Sequence, residues 1–423
     1  MKRTSIFIIT FIILISNILK VNAGELKYEL NCKSAVLIDA ESGGVLFDKN
    51  KDEKRAIASL TKLMTYYTFI EGVGNEYKNN FIIYNIDNKK FNYDEPILNV
   101  NYGEKVKIDD LITAMLVFSA NNAPEVLEQE YYKAKKENFI YRMNENAKLL
   151  GLNNTHYINS SGLTKNNKYN VSTAYEQALL AYNILKKYND ILKYTSLQSF
   201  KYKNTMYFST NKLLGNFKGV DGLKTGYTEE AGYCLVTTID VTNSNGNGKP
   251  LRFISVVLGC DTKNDRFEDT KKILNYAIKN YENFVVTNKE VFEAENKDYI
   301  GDKIKYSPKS DVVVLKKKNE NIEINFLLNT KLKNKIKKGD IIGKIAINTS
   351  IDRVEVDIVA IDDFKKKSIF YKIKEYIFYL LKELGWFGWI KLKTIWFCFV
   401  NVSLNLQIIY FWKTKLLKKN MRN

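Results

Sequence analysis

Three short clusters carry side chains able to do acyl-transfer chemistry. The first is Ala56-Ile57-Ala58-Ser59-Leu60-Thr61-Lys62-Leu63-Met64-Thr65, small residues around a serine, a lysine three positions on, and an apolar run. In a helix that spacing puts Ser59 and Lys62 one turn apart on the same face. A serine hydroxyl attacks a carbonyl only once a base takes its proton. A lysine can be that base when a desolvated, cationic site strips its own proton. The second cluster is Ser119-Ala120-Asn121 and the third Lys224-Thr225-Gly226. Singly they also read as a helix start, a cap or turn, and a strand end; together and in this order they form one catalytic set.

The residue types assign themselves roles. Ser59 is the expected nucleophile and Lys62 its base. Ser119 offers a hydroxyl that both donates and accepts, a proton relay between lysine and the leaving nitrogen. Asn121 offers an amide to hold Lys62 and the substrate's peptide group. Lys224 and Thr225 suit a terminal carboxylate, and Lys224 also disfavours protonation of Lys62, like charge against like. Gly226 lets a substrate strand lie close to a strand edge. The backbone N–H groups of Ser59 and Tyr227 are the expected oxyanion donors. His156 is the single histidine and stands in a loop-like stretch, so a histidine triad is not the preferred reading.

The elements that must position these groups follow from the pattern. Residues 1–23 read as a secretory signal, with Lys2 and Arg3, an apolar Ile6–Ile18 stretch and a small-residue end at Ala23; an uncleaved anchor is the other reading. Ser34–Ala40 and Val45–Phe47 are strand-like around a Gly43-Gly44 turn, a hairpin ahead of the Ser59 helix. A helical region follows to about Lys187, including Ile108–Val117 and a charged run Ala123–Leu150. Strands return at Leu223–Tyr227, Tyr233–Ile239 and Arg252–Leu258, the last two joined through residues 243–248, and an amphipathic helix Phe267–Tyr281 closes the unit. The expected fold class is α+β: an antiparallel sheet built from both chain ends, flanked by helices, with an inserted helical region. The expected domains are a catalytic unit over 24–283, a small all-β domain over 284–363, and a basic amphipathic or hydrophobic anchor over 364–423. Within the anchor, 368–393 is an amphipathic helix with Trp386, Phe387 and Trp389, and 395–412 is a marginal spanning segment.

Composition narrows the partners. The net charge is +18, but from Lys365 onward there are thirteen Lys/Arg against two Glu, so most of the excess belongs to the tail. No zinc-finger spacing, phosphate loop or RNA-binding signature accompanies it, which points to a membrane surface rather than nucleic acid. Of the four cysteines, Cys32, Cys234, Cys260 and Cys398, none forms a C-x-x-C pair. Cys234 and Cys260 read as small buried hydrophobes, and a bridge between them requires their strands to be neighbours.

The chain resembles the D-alanyl-D-alanine carboxypeptidases among the low-molecular-mass penicillin-binding proteins, those of the penicillin-binding protein 5 kind in the serine β-lactamase-like transpeptidase superfamily. Beyond the three clusters, the resemblance rests on the hairpin Ala35–Lys49, on Val220–Thr228 with Ala231–Leu235, and on Ser255–Gly259 followed by Asp265-Arg266-Phe267. It implies removal of the terminal D-alanine from peptidoglycan pentapeptide through an acyl-enzyme on Ser59. Penicillin and other β-lactams would acylate the same serine. It also implies no metal or organic cofactor, an exported location, a β-rich C-terminal domain and an amphipathic anchor. Ser59, Lys62 and Ser119 carry over as catalytic and Lys224 as substrate-binding. Ile57 stands where the family usually has proline, Asn122 where it commonly has aspartate, and the tail beyond Lys393 runs long. A β-lactamase, a D,D-endopeptidase and a wall-binding protein without turnover remain as alternatives. The segment Glu176-Gln177-Ala178-Leu179-Leu180 lacks the asparagine a class A β-lactamase would need.

Overall fold

The computed structural model describes residues 29–241, 251–329, 332–351 and 353–383. The signal-like segment, the 243–248 connection and the chain beyond Glu383, with Cys398 and the aromatic cluster at 386–389, lie outside the described residues.

The first unit is built on five antiparallel strands. They are β1 (Ser34–Asp39), β2 (Val45–Lys49), β3 (Val220–Thr228), β4 (Gly232–Asp240) and β5 (Arg252–Cys260). Their order across the sheet is β2-β1-β5-β4-β3. The chain's start and its return at residue 252 are therefore neighbours, with Ser34 opposite Leu258 and Asp39 opposite Phe253. A strand alternates its side chains between two faces, yet every residue of β1 is buried. Both faces are covered, and two apolar clusters account for it. Val36, Ile38, Val236 and Ile254 join a core with α1 (Thr61–Val73), whereas Ala35, Leu37, Leu235 and Val257 join one with Phe267, Ile273 and Leu274.

Further helices of this unit include α2 (Ile108–Thr113), α3 (Asn122–Lys135), α4 (Phe139–Leu149), α5 (Ala174–Lys187) and α6 (Lys263–Asn280). Two of them correct the sequence expectation. The charged run at 123–150 is two helices, because Lys136 turns left-handed and Asn138 caps the next helix by accepting the Tyr141 N–H. Ile108–Val117 is not one regular helix either. α2 widens into a π turn over Ala114–Phe118, and the chain leaves it at Ser119 with φ of 69°. α6 begins four residues ahead of Phe267, on a capping box between Thr262 and Asp265.

The first unit also holds 312–325 and 346–354, so Tyr281–Val286 pairs with Val312–Lys317 inside it. The second unit comprises Thr287–Asp311, Phe326–Ile345 and the chain from Glu355. Its strands include Phe292–Glu295 paired with Lys303–Pro308, which in turn pairs along Tyr306–Pro308 with Ile358–Ala360. Helix α7 (Ile369–Glu383) follows, tied down by Lys367 to Asp302 and Glu375 at 2.6 Å each and by Lys372 to Asp298 at 2.7 Å. No described helix is long and apolar enough to cross a membrane.

Candidate active site

Ser59 sits on a single 3-10 turn, Ala58–Leu60, which runs directly into α1. Ala58 carries φ of 46°, a left-handed conformation costly for any residue with a Cβ. The turn is held from several sides. Thr61 Oγ1 donates to Ala58 O at 2.7 Å, Asn170 Nδ2 donates to Thr61 Oγ1 at 2.9 Å, and the Ile57 N–H reaches Asn170 O at 3.3 Å. Two glycines press against it. A Cβ on Gly162, whose φ is +85°, would lie 2.0 Å from Ala58 O, and one on Gly226 would lie 2.9 Å from Ile57 O. Gly226 was expected to make room for substrate; here its bareness also admits the chain's own Ser59 turn against β3.

Lys62 is fully buried and its amine meets three oxygens: Ser59 Oγ at 2.7 Å, Asn121 Oδ1 at 2.7 Å and Ser161 O at 3.0 Å. The amide oxygen and the backbone carbonyl can only accept. A neutral amine has two N–H donors and one lone pair. The two acceptors use both donors, and the lone pair is left facing the one neighbour with a proton to give, the Ser59 hydroxyl. Burial pulls the Lys62 pKa down to about 7, and the charge of Glu95 opposes that fall.

Lys224 is buried at the far side, donating to Ser119 Oγ and to Thr225 O, both at 2.9 Å. Its pKa lies well below the ordinary lysine value, first through burial and then through the charges of Lys62 and Arg266. Desolvation is the first cause of the fall at both amines, and the repulsion between Lys62 and Lys224 is mutual, so each disfavours the other's charge. Ser119 was paired in sequence with Lys62, whereas in the structure its hydroxyl accepts from Lys224.

The remaining expected residues assemble at the same place. The Asn121 N–H is fixed on Pro96 O at 2.7 Å, which sets the amide toward Lys62. Thr225 Oγ1 shares a 2.6 Å hydrogen bond with Thr210 Oγ1. Gly226 O accepts from Arg266 Nη1 at 3.2 Å, bracing β3 from beneath. The Tyr227 side chain is half exposed and stacks on Tyr233 with ring centroids 4.2 Å apart. His156 is exposed and bridges to Val171 through backbone groups alone. Cys234 and Cys260 lie on neighbouring strands but no disulfide joins them, and Cys234 Sγ points to Ala231 O at 3.5 Å.

Sequence reasoning missed Ser161, Thr210, Glu95 and Gly162. Ser161 acts through its carbonyl and Gly162 through a missing Cβ, features no side-chain pattern announces. Glu95 sits in the loop before Pro96, with Oε1 accepting from Asn92 Nδ2 at 2.8 Å and Oε2 buried without a hydrogen-bond partner.

Residues 20–262 match the family model described as D-alanyl-D-alanine carboxypeptidase. The chain is 30% identical over 393 residues to the D-alanyl-D-alanine carboxypeptidase DacF of Bacillus subtilis, covering 87% of this chain and 92% of that one. Among solved structures it is similar to penicillin-binding protein 5 from Haemophilus influenzae, at a TM-score of 0.63 and 25% identity over 81% of this chain and all of that one. It is also similar to penicillin-binding protein D2 from Listeria monocytogenes in its cefotaxime-bound form, at a TM-score of 0.52 and 32% identity over 59% of this chain and 97% of that one.

Proposed function

The chain belongs to the D-alanyl-D-alanine carboxypeptidase family and is a serine D,D-carboxypeptidase of peptidoglycan; from that premise we propose how its residues divide the reaction. Ser59 Oγ attacks the carbonyl between the two terminal D-alanines of a pentapeptide stem, and its proton passes to the Lys62 lone pair. The oxyanion forms against the N–H groups of Ser59 and Tyr227. The terminal carboxylate lies on Lys224 and Thr225, and its arrival restores the charge on Lys224 that burial disfavours. Ser119, in contact with Lys224, hands its proton to the departing amine and is reprotonated by the proton Lys62 took from Ser59, so that free D-alanine leaves and the Lys62 lone pair is restored. Water then attacks the acyl-enzyme, with Lys62 taking its proton, and Ser59 is regenerated. Asn121 holds Lys62 and the substrate's peptide group. β-Lactams enter the same acylation step, with the lactam nitrogen remaining tethered to the acyl group.

The observation that carries this reading is the setting of the buried Lys62 amine, 2.7 Å from Ser59 Oγ and held by Asn121 Oδ1 at 2.7 Å and Ser161 O at 3.0 Å. The assembled contacts of Ser59 with Lys62 and of Ser119 with Lys224 argue against a wall-binding protein without turnover. The test is release of D-alanine from a diacetyl-Lys-D-Ala-D-Ala peptide by the purified full chain, beside Ser59→Ala. Release that vanishes in the variant is expected; release that survives it would overturn the assignment of Ser59.

Outside the cleft we propose that 1–23 directs export and that the tail rests on the outer face of the cell membrane. The basic excess after Lys365 and the exposed Ile369, Phe370 and Phe378 of α7 support the second part. The paired strands of the second unit, Phe292–Glu295 with Lys303–Pro308 and Tyr306–Pro308 with Ile358–Ala360, support a small β-rich domain with a spacer or interaction role.

A further inference from the structure

Away from the catalytic cleft, two thiols meet in the core of the first unit. Cys32 and Cys260 are both fully buried. Their sulfurs and a carboxylate oxygen of Asp269 all lie within 4.8 Å of one another. Cys32 stands just ahead of β1 and Cys260 ends β5, and the Lys33 N–H still reaches Leu258 O at 3.0 Å between them. The two side chains thus leave adjacent antiparallel strands. Opposed residues on such strands have Cα atoms about 4.5–5.5 Å apart, inside the span a disulfide accepts. The third member of the cluster is already committed. Asp269 Oδ2 accepts the Cys32 N–H at 2.7 Å, and Oδ1 accepts Lys272 Nζ at 3.2 Å. With the carboxylate so engaged, each sulfur's natural partner is the other sulfur rather than a metal ion. Cys234 does not compete, since its sulfur turns to the backbone at Ala231 and Gly232.

We propose that Cys32 and Cys260 are joined by a disulfide in the mature enzyme, a staple between the first strand and the last. Peptidoglycan lies outside the cytoplasm, where disulfides form and persist. The oxidant is a compound of the class RSSR. One cysteine thiolate attacks it, releasing RS⁻ and leaving a mixed disulfide; the second thiolate attacks that, releasing another RS⁻. Two protons leave the protein thiols and two electrons reduce RSSR to two RSH. The exchange belongs to folding, while both sulfurs are still accessible, because the folded core buries them. The bond closes a loop that holds Ser59, Lys62, Ser119, Asn121 and Lys224, and a loop of that length gains most from closure.

The test is refolding of the full chain with oxidised and reduced glutathione, alkylation of the remaining thiols, and peptide mapping by mass spectrometry of the fraction that binds fluorescent penicillin. The expected result is a peptide linking Cys32 to Cys260, with Cys234 and Cys398 alkylated. The oxidised protein should melt about 5–15 °C above the reduced one, a difference absent from both Cys32→Ala and Cys32→Ser. Alkylation of both Cys32 and Cys260 in penicillin-binding protein would overturn the proposal. So would a link from either to another cysteine, or one equivalent of zinc retained with both thiols blocked. The mapping is read on the unaltered chain, so a variant that fails to fold does not obscure it.

Discussion

With Lys62 drawn down to about 7 by burial, its free-base fraction falls as the pH drops through that value. Acylation needs the free base, so kcat/KM should lose about tenfold per pH unit on the acid side. A stopped-flow titration of penicillin acylation reads that limb directly; a rate flat down to pH 5 would remove Lys62 from the role. Lys62→Arg keeps a cation and its donors but cannot give up a proton at these pH values. It should therefore cost about 10²–10⁴ in acylation rate, and Lys62→Ala should cost as much. Glu95 sharpens the same point. Its negative charge favours protonated Lys62, so Glu95→Gln lowers the lysine's pKa further and moves the acid limb to lower pH. Movement to higher pH would contradict that sign. Lys224 is tested by substrate chemistry. Lys224→Ala should cost about 2–5 kcal/mol in kcat/KM for a peptide ending in carboxylate, and much less for the matching carboxamide. Equal losses on both would remove the carboxylate from its role.

The elements that carry these residues were legible to different degrees. The hairpin before Ser59 and the strands bearing Lys224 could be read because alternation and turn residues mark them at short range. Lys62 on α1 followed from spacing alone. What could not be read is where the loop around Ser160-Ser161-Gly162 travels. It supplies Lys62 with a carbonyl and Thr65 Oγ1 with another at 2.6 Å, contacts made between residues 99 and 95 positions apart. The break between α3 and α4 was missed because charged residues continue helical periodicity straight through Lys136. Gly162 gives the element-scale prediction. Gly162→Ala needs a left-handed alanine and a Cβ on Ala58 O, which together should cost about 2–5 kcal/mol or displace the Ser59 turn. Thermal unfolding and penicillin acylation, measured together, check it; an unchanged melting point with unchanged acylation would show that the turn is not held this way.

For the whole molecule, charge is distributed as function would require. The basic tail follows the catalytic and β-rich parts, and α7 begins it with large apolar side chains exposed to solvent. The full chain should co-sediment with vesicles containing anionic lipid and be partly released by salt, whereas a chain ending at Lys366 should stay in solution. Equal recovery of both in the supernatant would leave the tail without a membrane role. The central claim, that one serine carries the acyl group of both peptide and β-lactam, has a more direct measurement. Peptide mapping of the full chain after brief reaction with penicillin should find the penicilloyl adduct on Ser59, and prior incubation with a D-Ala-D-Ala peptide should slow its appearance. An adduct on Ser119 or any other residue would contradict the account.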